Sequence, residues 1–106
     1  MTARLATGVW VSALLRRADA AGVAGVVARR GDPVAGAVIL VARARDGHLA
    51  AWSRSQTGVE AIWTVALEAA ADEEARLDDY LSRQSRYDPD LWVVELATGE
   101  IQPFIA

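Results

Sequence analysis

The side chains best suited to chemistry are crowded where a charged helix is predicted to end and an apolar strand to begin. This junction, residues 83–92, contains Arg86, Tyr87, the acidic turn Asp88-Pro89-Asp90, and Trp92. Guanidinium groups can hold a carboxylate or a phosphate through two parallel hydrogen bonds, and aromatic rings supply large contact areas. The junction is therefore the first candidate for a binding surface.

Four arginines could form an anion site at this surface. They stand in two pairs, one before the Gly31-Asp32-Pro33 turn and one near the end of the charged helix: Arg29, Arg30, Arg83 and Arg86. In the competing interpretation, Arg83 pairs with Asp79 four residues earlier, the later pair offsets the helix dipole, and the earlier pair is a solvated strand end. The two interpretations differ in whether the four side chains converge in the fold.

A divalent metal site is the second candidate. Asp32, Asp88 and Asp90, with Glu95 as a further candidate, offer the hard oxygen ligands that magnesium prefers, and such a site would make metal-assisted phosphoryl hydrolysis feasible. The alternative is structural. Asp88 and Asp90 would flank a helix-stopping proline, Asp32 would bond the backbone of its own turn, and Glu95 would pair with an arginine.

Other catalytic signatures are missing from the sequence. His48 is the sole histidine and follows Asp46-Gly47 in a predicted hairpin, where we expect it to be exposed. There is no cysteine, no glycine-rich nucleotide-binding motif, and no serine-histidine-aspartate set at motif spacing. We therefore assign no catalytic residue and expect no cofactor.

Length and charge indicate one small acidic domain. The 106 residues, 1–106, fit a single domain, 53% of them are apolar, and the net charge is −3. An acidic balance gives no long-range attraction to nucleic acid or to an anionic membrane. The most apolar segment, Val34–Ala42, is far shorter than a bilayer-spanning helix, and the absence of cysteine fits a reducing compartment. We expect a cytoplasmic protein with no membrane contact, for which nucleic acid is a poor partner.

Two helices are marked by caps and charges. Thr7 is predicted to cap a helix over Val9–Ala21, which Gly22 ends. Acidic residues at 72–74 open the second helix, which Pro89 stops because a proline disfavours the helical conformation of the residue before it.

Six apolar or β-branched runs are predicted as strands: Val23–Arg30, Ala35–Arg43, Leu49–Ser55, Glu60–Leu67, Leu91–Leu96 and Ile101–Ile105. Of these, Glu60–Leu67 could instead start a helix, although its apolar and aromatic residues favour a strand. Ala35–Arg43 is apolar on both faces, which is typical of a central strand. Asp46-Gly47 predicts a two-residue type I′ hairpin turn, and Gln56-Thr57-Gly58 a second turn. The order α-β-β-β-β-α-β-β predicts an α+β fold, with a mainly antiparallel sheet of about five to six strands and two helices packed on one face.

The tryptophans are expected to lie mostly in the core. They are Trp10, Trp52, Trp63 and Trp92. A domain this small does not easily hide all four, and an exposed tryptophan beside an arginine is a typical hot spot for protein binding.

Three segments give the chain a resemblance to a known family. They are Trp10–Arg17, then Arg29–Pro33 with Ala35–Ala37, and then Arg83-Gln84 with Arg86–Glu95. With these segments the chain resembles a family of small bacterial proteins, mainly alphaproteobacterial, catalogued as domain of unknown function 1491. The resemblance implies a bacterial cytoplasmic protein and supplies no catalytic residues.

We expect a non-enzymatic binding or assembly module rather than an enzyme. Its predicted contact surface is the Gly31-Asp32-Pro33 turn together with the Arg83–Trp92 junction, and its partner is an unknown protein or a second copy in a homodimer. One alternative is a magnesium-dependent hydrolase or nuclease using Asp32, Asp88 and Asp90. The other is a sensor that binds a small anion or nucleotide through the arginines.

Overall fold

A five-stranded sheet runs through the middle of the protein, in a computed structural model that describes residues 5–57 and 60–105. The elements in chain order are α1 (Thr7–Ala20), β1 (Gly25–Arg29), β2 (Val38–Arg43), β3 (Leu49–Thr57), β4 (Glu60–Ala69), a 3₁₀ turn (Ala71–Glu73), α2 (Glu74–Tyr87), β5 (Trp92–Leu96) and α3 (Gln102–Ile105). The segment 60–67, which could have been strand or helix, is a strand. In the described ranges, no helix is both long and apolar enough to cross a membrane.

The strand order is β1-β5-β2-β3-β4. Neighbouring strands are antiparallel except for β2 and β5, which are parallel. The predicted α+β class with a mainly antiparallel sheet is confirmed. So is the central place of β2, whose residues 38–42 are all buried.

The two long helices cover opposite faces of this sheet. On one face, Leu14 of α1 shares a core with Leu40 and Val94. On the other face, Leu77 of α2 shares a core with Val41 and Val93. The expectation that both helices pack on one face is therefore wrong in this respect. The physical reason is that β2 and β5 present apolar side chains on both sides, so each face needs its own cover.

The C-terminal segment forms a short helix instead of the predicted edge strand. Ile101 and Phe104 are buried against α1, and the Nη2 group of Arg17 donates to the carbonyl oxygen of Phe104 at 2.7 Å. Pro103 has no N–H for a strand ladder, but it is tolerated in the first turn of a helix, where that N–H would have no intrahelical partner.

The hairpin between β2 and β3 is present, but its turn differs from the predicted type. Ala44 N donates to His48 O, and Gly47 N donates to Ala44 O. Gly47 has a φ of 91°, whereas no described residue other than glycine has a positive φ, so Asp46 does not meet the type I′ requirement. The loop is the three-residue kind that ends in a left-handed glycine. Part of the predicted turn Gln56-Thr57-Gly58 lies outside the described residues.

The start of α1 is held by the loop that follows β1. Thr7 is the first helical residue and not the cap. Its backbone N–H donates to Val34 O at 3.1 Å, and the next N–H, of Gly8, donates to Pro33 O at 2.8 Å. The Thr7 hydroxyl donates to Gly36 O at 2.8 Å in the interior. Loop carbonyls thus satisfy the first two N–H groups of the helix, which have no partner within it.

Candidate anion-binding cleft

The Gly31-Asp32-Pro33 turn and the 83–92 junction lie against each other. Asp32 N donates to Asp90 O at 3.0 Å, and the indole Nε1 of Trp92 donates to Asp32 O at 2.7 Å. A third hydrogen bond joins the Nη2 group of Arg29 to Pro89 O at 3.0 Å. Segments about sixty residues apart in the sequence therefore form one corner of the molecule.

Two glycines make this close approach feasible. A Cβ atom on Gly31 or on Gly36 would overlap the carbonyl oxygen of Asp90 and would also press on the ring of Trp92. The obstacle is backbone, which cannot move aside as a flexible side chain could. The Gly31-Asp32-Pro33 turn is thus packed against the backbone of Asp90 and the ring of Trp92. Less of its surface is available to a partner than in a freely exposed loop.

Trp92 belongs to the core. It is 2% exposed and contributes to the core on the α1 side. The guanidinium of Arg30 lies over its ring, at 5.3 Å from the ring centroid. A partner could not reach this tryptophan, so its predicted role as a contact residue is replaced by a structural one. Arg30 packs on this ring.

A β-bulge in β1 decides where Arg29 points. Val27 packs against the α1-side core, and strict alternation along a strand would place Arg29 on that same side. The register shifts between Val27 and Arg29, so that Arg29 pairs with Val93, a residue of the α2-side core. Bulges commonly redirect a side chain in this way. Arg29 is thereby turned towards α2.

A cavity of about 460 Å³ lies between β1, β5 and α2, and we call it the β1–α2 cleft. Its lining combines an apolar floor with two hydroxyls and two guanidinium groups: Ala28, Leu81, Val93, Ser82, Ser85, Arg29 and Arg86. Ligand sites in proteins commonly have volumes of roughly 300–1,000 Å³ and a few polar groups on an apolar surface. The cleft has this character.

The two arginines of the cleft keep unused donors. No carboxylate of the described residues forms an ion pair with Arg29 or Arg86. Arg29 is bonded through Nη2 to a carbonyl, while its Nε is buried and has no hydrogen-bond partner among the described atoms. An unsatisfied buried donor costs about 1–3 kcal/mol. The cleft therefore carries positive charge that an anion could neutralise.

A smaller cavity of about 270 Å³ adjoins the cleft and is lined by Arg83, Arg86 and Tyr87. Arg83 pairs with Asp79 at 3.3 Å, as the competing interpretation of the arginines proposed. Tyr87 is 87% exposed. Of the four predicted arginines, the structure thus brings Arg29 and Arg86 together in one cavity and Arg83 and Arg86 in the next.

Two of the three aspartates proposed as magnesium ligands use their carboxylates in structural hydrogen bonds, and Asp90 contributes its backbone N–H and carbonyl groups. Asp32 Oδ2 accepts from Val34 N and Ala35 N, and Asp88 Oδ1 accepts from Asp90 N. Among the described residues, which include all three aspartates, no group of three acidic or histidine side chains is placed to hold a metal ion. The geometry does not support the magnesium-dependent hydrolase.

The comparison with protein families decides the family of the chain. A model for proteins of unknown function, DUF1491, matches residues 5–106. The chain belongs to the DUF1491 family. The resemblance noted in the sequence is confirmed.

Solved structures agree with this assignment. The crystal structure of a DUF1491 family protein from Caulobacter crescentus CB15 is 40% identical, with a TM-score of 0.78 over 89% of this chain and 88% of that one. The NMR structure of a DUF1491 family protein from the same organism is 37% identical, with a TM-score of 0.83 over 99% and 96%. The solution structure of a protein from A. tumefaciens is 33% identical, with a TM-score of 0.83 over 97% and 93%. No curated protein matches the chain.

The tryptophans of this DUF1491 protein do not form an exposed hot spot. Trp10, Trp52 and Trp63 are half-buried. Trp10 stacks on Trp63 with ring centroids 5.7 Å apart, and the guanidinium of Arg54 lies 5.3 Å and 5.8 Å from the two centroids. The expected pairing of tryptophan with arginine exists, but it fastens α1 to β4, away from the junction.

Sequence reasoning missed the serines of the cleft. Leu81 lies four residues before Ser85, and Ser82 lies three residues before Ser85 and four before Arg86. These side chains therefore lie along one side of α2. Their spacing could have marked this face as the wall of a site. Ser85 also donates its hydroxyl to Leu81 O at 2.9 Å, so its oxygen remains free to accept a hydrogen bond.

Two further polar groups lie outside the cleft. His48 is exposed, as predicted, and its Nε2 lies 3.1 Å from Glu68 Oε1. Arg43 bonds both carboxylate oxygens of Glu74 at 3.0 Å and 3.2 Å, and also bonds Glu95 at 3.2 Å. Hydrogen bonds from Arg43 lower the pKa of Glu74. Glu95 is thus paired with an arginine, as the structural interpretation of that residue proposed.

Proposed function

We propose that this DUF1491 protein is a non-enzymatic binding module that holds an anionic group of its ligand in the β1–α2 cleft. One observation carries the proposal. The bulge in β1 turns Arg29 onto the α2 side of the sheet, where it lines the same cavity as Arg86. No carboxylate of the described residues neutralises either one.

The lining of the cleft narrows the class of ligand. Two guanidinium groups can bind a carboxylate or a phosphate through charge-assisted hydrogen bonds. The floor of Ala28, Leu81 and Val93 offers apolar surface and no charge. The best ligand is therefore a small carboxylate or phosphate monoester that also carries an apolar portion.

The cleft is better suited to binding than to covalent chemistry. A serine nucleophile needs a base within hydrogen-bond reach to activate it. The lining includes Ser82 and Ser85 but no histidine and no carboxylate. The single histidine of the chain, His48, lies beside Glu68 on the hairpin side of the molecule. These features support a module that recognises its ligand without transforming it.

Calorimetric titration tests the proposal. Benzoate and phenyl phosphate should bind more tightly than acetate and inorganic phosphate, because only the first two fill the apolar floor. Each of Arg29→Gln and Arg86→Gln should weaken binding by roughly ten-fold to a hundred-fold, since a hydrogen bond to a charged group contributes about 1.5–3 kcal/mol. The matched control is Arg16→Gln, at an exposed arginine of α1.

The affinities of the three variants distinguish a specific anion site in the cleft from nonspecific binding. Binding that depends on Arg29 and Arg86 but not on Arg16 supports the anion site, and the carboxylate and phosphate probes show which anion it prefers. Absence of heat with all four probes, or equal losses for all three variants, would contradict it.

A protein partner is the second candidate, and Tyr87 favours it. Exposed tyrosine and arginine side chains in one patch are typical of binding hot spots, and Tyr87 lies beside Arg83 and Arg86. The partner would present an acidic residue to this patch.

The cytoplasm is the compartment we propose, because the chain has no cysteine.

Tyr87→Ala separates this candidate from the first. Such a surface change should alter the free energy of unfolding by no more than about 0.5 kcal/mol. It should abolish capture of a specific partner from the native host while leaving the calorimetric affinity for phenyl phosphate within about two-fold. If the variant captures the same proteins as the wild type, the patch is not the contact surface.

A further inference from the structure

The outer edge of β4 is open to pairing. β4 is the last strand of the sheet on its side and, at ten residues, the longest described strand. Its partner β3 lies on one side only. The unpaired N–H and C=O groups of an edge strand are a template for another strand, and long edges are usually protected by lysine, proline, a bulge or a very short length.

β4 lacks most of these protections. Residues 60–69 contain no lysine, arginine or proline. A shift in the β3–β4 register places one extra residue of β4 near Ala66 and interrupts the strand there. The stretch Glu60–Val65 before it pairs with β3 without interruption. The opposite edge, β1, is only five residues long and contains its own bulge, so it is the better protected of the two.

The open stretch of β4 also lies in the least supported part of the sheet. β2 pairs with β3 only along Leu49–Ser53, so Arg54–Thr57 has β4 as its only strand partner. Isolated two-stranded ribbons are marginally stable in water. On the α1 side the stacked Trp10 and Trp63 brace this ribbon. On the other side Ile62 is 50% exposed, and no described strand pairs with the outer edge of β4.

A second copy of this chain is the partner that fits the edge. Two antiparallel β4 strands can pair about a two-fold axis that is perpendicular to the sheet. Residues opposite each other in such a pair point to the same face of the sheet, so one residue must lie opposite its own copy at the axis. An axis at Thr64 would set Glu60 opposite Glu68, which is unfavourable. An axis at Ile62 avoids this and places the two exposed isoleucines side by side.

We infer that the protein self-associates by antiparallel β4–β4 pairing centred on Ile62, which joins two five-stranded sheets into one of ten strands. Within the described residues this pairing involves five residues of each copy, Glu60–Thr64, well below the extent of a permanent dimer. The dimer is therefore reversible, and its population rises with protein concentration.

Sedimentation velocity with matched edge variants tests this inference. The wild type should shift from monomer to dimer as its concentration rises from micromolar to millimolar. Ile62→Arg places like charges directly opposite each other and should keep the protein monomeric. Val26→Arg, at a residue of the β1 edge that is 55% exposed, should dimerise like the wild type. Circular dichroism checks that both variants are folded.

Cross-linking gives a second readout. Because the chain has no cysteine, a single substitution creates the only thiol. Ile62→Cys should form a disulfide-linked dimer on mild oxidation, and Val26→Cys should not. A wild type that stays monomeric at millimolar concentration overturns the inference. So does a dimer that Val26→Arg abolishes and Ile62→Arg leaves intact.

Discussion

Single residues fix the geometry of the corner from which the cleft is built. Gly31 and Gly36 let the carbonyl oxygen of Asp90 approach so closely that no Cβ fits beside it. This close approach places Asp90, which precedes β5, against the Gly31-Asp32-Pro33 turn. It also leaves Pro89 O within hydrogen-bond distance of Arg29. The position of Arg29 therefore depends on glycine at positions 31 and 36, because a side chain at either position would keep Asp90 away from the turn.

Substitution of Gly31 should be costly for a steric reason. Gly31→Ala is expected to lower the free energy of unfolding by about 1–3 kcal/mol, because its Cβ would meet backbone. The matched control is Gly8→Ala, whose Cβ would lie 3.4 Å from Pro33 O, an ordinary contact, inside a helix where alanine is favoured. Chemical denaturation measures both. Equal stability of the two variants would contradict the close packing of the turn.

Interactions between residues close in the sequence could be predicted, whereas interactions between residues far apart in the sequence could not. The sequence predicts the Arg83–Asp79 ion pair and the backbone bonds of Asp32, because each connects residues within four positions. The bond from Arg29 to Pro89 O joins residues sixty positions apart. Only the fold brings these two together, so the anion site could be proposed from the sequence but its members could not be selected.

Among the elements, α2 is tied to the sheet by one ionic cluster. Arg43 of β2 binds Glu74 in the first turn of α2 and Glu95 of β5. The hydrogen bonds to Glu74, and to a smaller extent that to Glu95, raise the pKa of Arg43. The cluster thus holds the first turn of α2, the helix that forms one wall of the cleft, against the sheet.

The cluster makes stability depend on pH in the acid range. The hydrogen bond from Arg43 lowers the pKa of Glu74 in the folded state, below the ordinary value of 4.5. A carboxyl with a lowered pKa stabilises the fold fully above its unfolded pKa, and this contribution is lost as pH falls through the folded pKa. The melting temperature of the wild type should therefore fall as the pH drops below about 4.5.

Glu74→Gln isolates this contribution. The variant should melt below the wild type at pH 6 and close to it at pH 3, so its acid-dependent loss is smaller. Scanning calorimetry across this range measures the difference. Parallel curves for the two proteins would show that the Arg43–Glu74 pair contributes nothing to the acid dependence.

The sequence also predicts the elements better than their arrangement. A central strand was expected at Ala35–Arg43 because that run is apolar on both faces, and β2 lies at the centre of the sheet. The same two-sided pattern does not say which helix covers which face, since that depends on how the chain crosses the sheet. The bulge at Val27–Arg29 has no signature in the residue types, and it is this bulge that places Arg29 in the cleft.

In the whole molecule, the two proposed surfaces lie at opposite ends of the sheet. The strand order β1-β5-β2-β3-β4 puts the cleft beside β1 and the open edge at β4. Two strands, β2 and β3, separate β4 from the cleft, which β1 and β5 line. Pairing of two copies through β4 would therefore leave both clefts open, at the two ends of a joined sheet. Ligand binding and self-association are thus compatible in one assembly.

The most direct test of the anion site is an NMR titration of the isotope-labelled protein with phenyl phosphate. Saturable changes in the amide signals of Arg29, Ser82, Ser85 and Arg86, with little change along β4, are the result we expect. They would place the anion in the β1–α2 cleft. Changes confined to another surface, or none at millimolar ligand, would contradict the central claim that this cleft is the binding site.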